Sequence, residues 1–419
     1  MLCVSLEIRV INKYIYTLGT TSDCNRMKIL CVFPISRPVE SELVYTGGEM
    51  RFIEIGKRWV QLGHEVHVVG SEYACRLCKE YGFKPVTYAY APLLSAPMLS
   101  VYTSIKKALS KVPAKDFDLI YTHETFKCAV TSVLIKKKLK IPLVSEFDLL
   151  CPEETSVLSS IIWAYRFYEH RTIPLRLVLM NFLVFNTYIR NLLLRKIDLV
   201  FALSNDIKGL LEKTGVSNER IYVVGPGLDL DYIQNIESES KLYEACFLGS
   251  IEPRKGVFDL ITLWRRILKR KPGAKLLIIG RGQKEYLEKM KRIIQKYNIH
   301  NNIKMMGFVS EESKFELMKQ SKIFIFPSYY EGFAQVICEA MACKLPVVAY
   351  DLPGYKEWYG NDVTYVKKGD VNSLLNATLT LLEDDTLLRV MGEKGIKRVK
   401  KYDWNKLAKK ELDIMTQNL

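Results

Sequence analysis

The segment over residues 323–340 constrains the fold of this chain more than any other. Its apolar run, Ile323–Phe326, predicts a buried parallel strand, and after a Pro-Ser break and a turn a helix is expected from Gln335. Two carboxylates, Glu331 and Glu339, then lie at the strand exit and on that helix, with seven residues between them. A strand that feeds a helix in this way indicates an open α/β sheet, and such sheets bind ligands at the carboxyl ends of their strands.

The groups at this strand exit suit different parts of one ligand. The N-terminus of the helix offers free N–H groups and a positive dipole to an anion such as a diphosphate. Carboxylates accept hydrogen bonds from sugar hydroxyls, so the combination indicates a sugar nucleotide. The alternative is that Glu331 and Glu339 are ordinary solvated carboxylates on either side of a βα turn.

The residues around the pair favour the first interpretation, because they continue a longer pattern. Pro-Ser precedes Glu331, Gly-Phe follows it, and Pro-Val-Val-Ala occupies Pro346–Ala349. The pattern resembles the Glu-x7-Glu motif of retaining glycosyltransferases with the GT-B fold, in particular family 4. This resemblance covers residues 27–415 and implies an α/β fold: two Rossmann-like domains face a cleft, and a C-terminal helix crosses back to the first domain.

Length and composition agree with a protein of this class. The chain has 419 residues, too many for one compact core, so two domains are expected. Its longest apolar run, Leu177–Ile189, is shorter than the roughly 20 residues that a membrane-spanning helix needs. The Cys-x-x-Cys at Cys75–Cys78 has no second pair or histidine cluster beside it, which disfavours zinc or redox chemistry. These features predict a cytoplasmic protein, with peripheral binding to the inner face of the membrane as a further option.

The net charge of the chain does not by itself select one class of partner. A formal net charge of +15 suits nucleic acid, an anionic membrane surface or a phosphorylated substrate. No helix-turn-helix, zinc-finger or RNA-binding fingerprint accompanies it, so no nucleic-acid partner is expected. The aromatic stretch over residues 153–196, punctuated by arginines, fits either core helices or a surface that faces anionic lipid.

The alternation of strands and helices predicts the domain boundaries. Residues 1–26 are expected to be an N-terminal extension without fixed structure. A Rossmann-like acceptor domain is predicted over 27–235, a Rossmann-like donor domain over 241–400 and the crossover helix over 401–419. The polar segment Ile236–Lys241 lacks periodicity and is the expected linker.

Individual elements follow from the apolar pattern. Strands are predicted over 27–34, 65–69, 119–121, 143–145 and 199–202 in the first domain, and over 245–248, 275–279, 303–306, 323–326, 347–349 and 364–366 in the second. The helix after the first strand is expected to bury Phe52, Ile55, Trp59 and Leu62 on one face.

A second motif, Gly-Ser-Ile-Glu-Pro-Arg-Lys-Gly, begins at Gly249 at the end of a predicted strand. Arg254 offers a planar fork and Lys255 a point charge, which together suit a diphosphate, and Gly256 allows close approach of the backbone. The motif resembles the donor-phosphate loop of the family, where an Arg follows the strand-end Gly. Here Ser250 holds that position, and Arg254 is the expected substitute. The Glu-Pro-Arg-Lys-Gly form is similar to that of phosphatidylinositol mannosyltransferases, which favours GDP-mannose and a lipid acceptor.

The resemblance implies roles for the remaining residues. Glu331, Lys255 and His123 are the expected catalytic residues. Gly47 and Gly48 match a glycine-rich loop near the donor phosphates and the acceptor. The expected donor-binding residues are Gly249, Arg254, Gly307, Phe308, Val309, Gly332, Phe333, Ala334, Gln335 and Glu339. No metal-binding carboxylate cluster is evident, and neither a metal nor another cofactor is expected.

The function predicted on this basis is retaining transfer of a sugar from a UDP- or GDP-sugar to a hydroxyl of a sugar, polysaccharide or lipid acceptor. Lys255 would stabilise the leaving diphosphate, Glu331 would hold the transferred sugar, and Glu339 would hold the ribose. Alternatives are another GT-B enzyme, such as a sugar-nucleotide epimerase or an inverting transferase, and a non-catalytic protein that binds nucleotide sugars or acts as a membrane scaffold.

Overall fold

A computed structural model describes residues 26–32, 47–70, 79–87, 110, 116–123, 126–147, 191–238 and 240–419. Within the first half, seven parallel strands form one sheet. They are β1 (Lys28–Val32), β2 (Glu65–Gly70), β3 (Lys84–Thr87), β4 (Leu119–His123), β5 (Leu143–Phe147), β6 (Leu199–Ala202) and β7 (Ile221–Val223). Their order is β3-β2-β1-β4-β5-β6-β7. The order reverses between β1 and β4, so the carboxyl ends of these strands flank a crevice.

The second half contains a parallel sheet of six strands. They are β8 (Tyr243–Leu248), β9 (Leu276–Ile279), β10 (Ile303–Gly307), β11 (Ser321–Phe326), β12 (Val347–Tyr350) and β13 (Thr364–Val366). Their order is β10-β9-β8-β11-β12-β13, with the reversal between β8 and β11. The central strands are buried along almost their whole length, which explains why they read as continuous apolar runs.

Helices cover both sheets. In chain order they are α1 (Gly47–Gln61), α2 (Phe126–Leu139), α3 (Asn205–Lys213), α4 (Leu230–Asn235), α5 (Val257–Ile267), α6 (Lys284–Lys296), α7 (Glu311–Lys319), α8 (Gln335–Ala342), α9 (Tyr355–Tyr359), α10 (Val371–Leu382), α11 (Asp385–Val399) and α12 (Trp404–Asn418). Asp or Ser side chains cap the N-termini of several of them, as at Asp370 and Asp403. Among these described helices, none is long and apolar enough to cross a bilayer.

The architecture confirms the predicted pair of Rossmann-like domains and every predicted strand. The sequence did not reveal β3 and β7, which are short strands at the two edges of the first sheet. The prediction for the buried face of α1 was wrong at Leu62, which lies beyond the helix end and is exposed, while Ile53 is buried. The predicted N-terminal extension and the arginine-rich stretch lie outside the described residues, apart from their last few positions.

The C-terminal helix α12 crosses back to the first sheet, as predicted. The indole Nε1 of Trp59 in α1 donates to the carbonyl of Ala408 in α12 at 3.1 Å. Apolar side chains of α12 join the core of the first sheet, namely Trp404, Leu407, Ala408, Leu412 and Met415. The last helix of the chain therefore completes the hydrophobic core of the first half.

A buried guanidinium fixes this helix in place. Arg51 in α1 donates to Glu146 at the end of β5 at 2.6 Å and to Glu411 in α12 at 2.5 Å. Its third contact is the carbonyl of Gly225 at 2.8 Å, and the hydroxyl of Tyr121 donates to the other oxygen of Glu146 at 2.6 Å. These four side chains are buried, so one cation compensates two carboxylates that come from distant parts of the sequence.

The chain passes from the first half to the second beside two tryptophans. A Cβ added at Gly227 would overlap the ring of Trp404, and one added at Gly225, where φ is +82°, would overlap the ring of Trp358. Glycine at both positions therefore lets the crossing segment lie directly against the two indoles.

We expect Arg51→Met to destabilise the protein by about 3–5 kcal/mol, because it removes the cation and the hydrogen-bond donor that contact the buried carboxyl groups of Glu146 and Glu411. Denaturant unfolding measures this loss. Arg389→Met removes an exposed arginine of α11 and serves as the control, with an unfolding free energy close to that of the wild type. Equal stability of both variants would show that the network is not needed.

A second prediction concerns the pH dependence of stability. Burial raises the pKa of Glu411 to about 8, because Arg51 opposes this shift only in part and the charge of Glu146 adds to it. The folded protein therefore holds a proton on Glu411 that the unfolded chain releases near its ordinary pKa of 4.5. We expect this group to lower the free energy of unfolding by up to about 1.4 kcal/mol per pH unit as the pH rises through this window. Glu411→Gln should remove this slope, which denaturant unfolding from about pH 5 to about pH 8 can measure.

Candidate active site

Two strand exits meet at the switch point of the second sheet. A short 3-10 helix, Pro253–Lys255, follows β8, and the loop that contains Glu331 follows β11. The amide of Tyr329 donates to the carbonyl of Arg254 at 2.8 Å, and the hydroxyl of Ser328 lies 3.2 Å from the same carbonyl. The two predicted motifs are therefore joined directly through their backbones.

Gly256 makes this close approach possible. Its φ is +68°, in the left-handed region, and it caps the 3-10 helix before α5 begins. A Cβ at this position would overlap the carbonyl oxygen of Pro327 on the neighbouring loop. A side chain here would separate the two strand exits.

The carboxylate of Glu331 is surrounded by donors. Its Oε1 accepts from Lys255 Nζ at 2.7 Å and from Ser328 Oγ at 2.5 Å, and Arg254 Nη1 lies 3.5 Å away. The Glu331 and Lys255 side chains are only 8% and 15% exposed. Among the described residues, these contacts all involve Oε1 of Glu331, and Oε2 accepts no hydrogen bond.

Arg254 is more exposed than Lys255 and bridges several groups. Its Nη1 donates to the carbonyl of Tyr330 at 2.8 Å and its Nη2 to Glu252 at 2.9 Å. Ser250, which stands where the family has an arginine, donates its hydroxyl to the same Glu252 oxygen at 2.8 Å. Arg254 thus places a guanidinium beside Glu331 from a position four residues later in the loop.

The second carboxylate of the motif also faces a cation. Glu339 in α8 accepts from Lys314 of α7 at 3.3 Å, and the same ammonium contacts Glu311 at 2.8 Å. Burial raises the pKa of Glu339, and the charge of Lys314 opposes this shift. Burial alone would lower the pKa of Lys314, but Glu339 and Glu311 together hold it above its ordinary value.

The residues between the two carboxylates use their side chains for packing. The ring of Phe333 lies edge-on to Trp358 at 6.4 Å and contacts the cores of both halves. The hydroxyl of Tyr359 donates to the carbonyl of Ala334 at 2.9 Å. Gln335 donates its side-chain amide to the carbonyl of Gly227 at 2.8 Å. These contacts tie the segment between the two carboxylates to α9 and to the backbone at Gly227.

The exits of β9 and β10 form the far end of the site. The amide of Gly280 donates to the carbonyl of Gly307 at 2.8 Å, so the Gly307 carbonyl is occupied by the sheet. Phe308 exposes 42% of its surface, and the guanidinium of Arg281 lies 4.4 Å from the centre of its ring. Val309 is partly buried against the core. Phe308 is therefore the exposed residue at the edge beyond β10, and Val309 lies beside it.

The residues predicted in the first half lie at its own switch point. His123 is the last residue of β4, is buried, and pairs in register with Glu146 of β5. Gly47 and Gly48 begin α1, the helix that follows β1 in the chain, and Gly48 is buried. His123 thus lies at the end of β4, and the two glycines lie at the start of the helix that follows β1, the other strand that flanks the crevice of the first sheet.

Sequence reasoning missed several residues that shape the site. The hydroxyls of Tyr329 and Tyr350 both donate to Asp259 Oδ2 at 2.6 Å, which ties the Glu331 loop to the first turn of α5. Ser328 and Lys314 contact the two motif carboxylates directly. Lys314 lies in a polar helix turn, Glu-Glu-Ser-Lys, whose spacing gives no sign of a partner in α8.

Chemically, the site combines three cations, Arg254, Lys255 and Lys314, with the two carboxylates of the motif. An ammonium and a guanidinium at the end of one strand can bind a diphosphate. Carboxylates with one oxygen available can bind hydroxyl groups. Within the described part of the chain, no group of three or more His, Cys, Asp and Glu side chains is arranged to hold a metal ion.

Comparisons with known proteins agree with this arrangement. The family model described as "Glycosyltransferase Family 4" matches residues 45–232, and the one described as "Glycosyl transferases group 1" matches residues 231–398. The structure of Anabaena Alr3699/HepE in complex with UDP-glucose superposes with a TM-score of 0.71 at 20% identity, covering 94% of this chain and 100% of that one.

Two curated relatives are similar over part of the sequence. An N-acetylgalactosamine-N,N'-diacetylbacillosaminyl-diphospho-undecaprenol 4-alpha-N-acetylgalactosaminyltransferase of Campylobacter jejuni is 27% identical over 237 residues, 55% of this chain and 63% of the relative. A phosphatidyl-myo-inositol mannosyltransferase of Mycobacterium leprae is 32% identical over 166 residues, 39% of this chain and 43% of the relative. The chain thus spans less than two thirds of the length of either relative. Since the two family matches together run from residue 45 to residue 398, the chain belongs to the family 4 glycosyltransferases, with the GT-B fold.

Proposed function

We propose that this protein is a retaining glycosyltransferase that moves a sugar from a nucleotide-diphospho-sugar to an acceptor hydroxyl. The observation that carries the proposal is the contact of Lys255 with Glu331 at 2.7 Å. In a sugar nucleotide the transferred sugar is attached directly to the diphosphate. A group that binds diphosphate and a group that binds sugar hydroxyls must therefore be neighbours, as Lys255 and Glu331 are.

The proposed chemistry relies on charge stabilisation and positioning. Transfer breaks the bond between the anomeric carbon and the diphosphate oxygen, so negative charge grows on the leaving group. Lys255 and Arg254 stabilise this charge within a largely buried site, where electrostatic interactions are stronger than in water. Glu331 orients the sugar through its available oxygen, helped by the amides of Gly332, Phe333 and Ala334, and Glu339 binds the ribose.

The first sheet supplies the other wall of the proposed cleft. His123 contacts the donor sugar, and the start of α1 at Gly47 and Gly48 approaches the phosphates and the acceptor. The proposed reaction needs no metal ion, because Lys255 and Arg254 supply the positive charge beside the leaving diphosphate. Activity should accordingly persist in EDTA.

The names of similar proteins suggest two classes of donor. The HepE structure contains UDP-glucose, whereas one curated relative is named a phosphatidyl-myo-inositol mannosyltransferase. We propose a UDP- or GDP-sugar as donor, and a sugar, polysaccharide or lipid as acceptor. A lipid acceptor would favour reversible binding to anionic membranes, given the net charge of +15.

Three measurements separate this proposal from its alternatives. A non-catalytic binder would not hydrolyse a sugar nucleotide in the absence of acceptor, whereas glycosyltransferases of either stereochemistry can do so slowly. The anomeric configuration of the product then distinguishes retaining from inverting transfer, and interconversion of free sugar nucleotides would reveal an epimerase.

We expect Glu331→Gln to reduce transfer by at least about a hundredfold, since it removes a charged contact to the sugar in the transition state. Initial rates with saturating donor measure the effect, and circular dichroism checks the fold. Glu383→Gln changes an exposed carboxylate at the end of α10 and should leave the rate unchanged. A fully active Glu331→Gln enzyme would refute the assignment.

Lys255→Ala should weaken nucleoside-diphosphate binding by about 1.5–3 kcal/mol and lower turnover, because it removes a charge-assisted contact. The stabilisation of the protein by UDP or GDP in a thermal-shift titration reports the affinity and also identifies the base. Lys269→Ala, at the other end of the following helix, is the matched control. Unchanged diphosphate affinity in Lys255→Ala would exclude this loop as the phosphate site.

A further inference from the structure

At the predicted ribose end of the site, Lys314 forms an ion pair with Glu339 but has no role in the chemistry described above. The ammonium of Lys314 lies between two carboxylates, 2.8 Å from Glu311 and 3.3 Å from Glu339. Lys314 and Glu339 are only 14% and 13% exposed, whereas Glu311 is 47% exposed. We propose that Lys314 is a positioning residue, whose ion pair orients the Glu339 carboxylate and favours its charged form for binding the vicinal hydroxyls of the donor ribose.

The geometry supports an orienting role. Lys314 contacts Oε1 of Glu339, and among the described residues Oε2 accepts no hydrogen bond. Fixing one oxygen fixes the plane of the carboxylate and thereby the direction of the other oxygen. Lys314 also belongs to α7, which follows the exit of β10, whereas Glu339 belongs to α8, which follows β11. The pair therefore sets the distance between the edge beyond β10 and the carboxylate.

The charges around Glu339 explain why a cation is required. Burial favours the neutral form of this carboxyl group, and the negative charge of Glu311 adds to the effect. Two thiols face it as well, Cys338 on the same helix and Cys343 just after it, and burial keeps both neutral by raising their pKa. Within the described residues, Lys314 is the one cation within ion-pair distance of Glu339. Lys314 is therefore the group that opposes the upward shift of the Glu339 pKa.

Protonation matters because a hydroxyl binds an ionised carboxylate more strongly than a neutral carboxyl group. Two adjacent hydroxyls of a ribose could each donate to an ionised carboxylate. The inference rests on the proposed function, since it requires a nucleotide ribose at Glu339. A purely structural ion pair, which only ties α7 to α8, is the competing explanation.

Nucleotide binding across pH distinguishes these explanations. The probes are UDP and GDP, whichever binds more tightly, and the matching 2′,3′-dideoxynucleoside diphosphate, with dissociation constants measured by calorimetry from about pH 6 to about pH 9. We expect Lys314→Met to weaken binding of the ribonucleotide by about tenfold or more at neutral pH, the loss of one charge-assisted contact. This loss should shrink as the pH rises and Glu339 ionises, and it should be absent with the dideoxynucleotide.

Two further variants test the role of charge. Lys314→Arg keeps the cation and should restore the wild-type pH profile. Glu311→Gln removes the carboxylate that shares Lys314 with Glu339, so nucleotide binding should be as tight as in the wild type or tighter. The loss of affinity at acidic pH should then occur at a lower pH than in the wild type. Because Glu311 is half-exposed, this variant is expected to fold normally.

Several outcomes would overturn the inference. If Lys314→Met weakens both nucleotides equally and at every pH, the ion pair is only structural. If the wild-type protein binds the dideoxynucleotide as tightly as the ribonucleotide, no ribose contact exists at Glu339, while binding itself still supports the proposed function. If the wild type binds neither, the proposed function fails together with this inference.

Discussion

The arrangement of the two halves depends on one buried cation. Arg51 connects a helix of the first sheet, the end of β5, the C-terminal helix and the segment that leads into the second half. Because two carboxylates share its charge, the cluster would carry a net negative charge if both were ionised, and burial makes that state costly. The network therefore costs stability at alkaline pH, and in return it defines a single position for α12. A purely apolar contact could slide along the helix, whereas a guanidinium with three directed bonds cannot.

The geometry of the candidate site depends in turn on a glycine at position 256. Gly256 allows the loop after β8 to lie against the loop after β11, and this contact brings Lys255 within hydrogen-bond distance of Glu331. Asp259 fixes the same contact from the other side by accepting two tyrosine hydroxyls. In the proposed function, a diphosphate would share the Lys255 ammonium with Glu331, while Ser328 and Arg254 also contact that carboxylate.

Much of this could be predicted from the sequence, because buried parallel strands are unbroken apolar runs and the Glu-x7-Glu segment has a distinctive context. The strands of the second sheet and the positions of Glu331, Glu339 and Lys255 followed from these signals. The edge strand β3 did not, since Lys84 and Pro85 obscure its pattern. Partners that come together only in the fold were also hidden. Lys314 is twenty-five residues from Glu339, and Arg51 is separated from Glu411 by nearly the whole chain. The pattern of neighbouring residues in the sequence does not indicate such pairs.

The contact of Gln335 with Gly227 has a mechanical consequence. The helix that carries Glu339 begins at the point where the chain passes between its halves, and Phe333 touches both cores there. If one half turns relative to the other about this point, atoms near the pivot travel little and atoms at the outer rim travel far. The loop that contains Glu331 would then keep its shape while the opening between the sheets widens or narrows. In the proposed transferase, a donor would stay bound near the pivot while an acceptor enters at the rim.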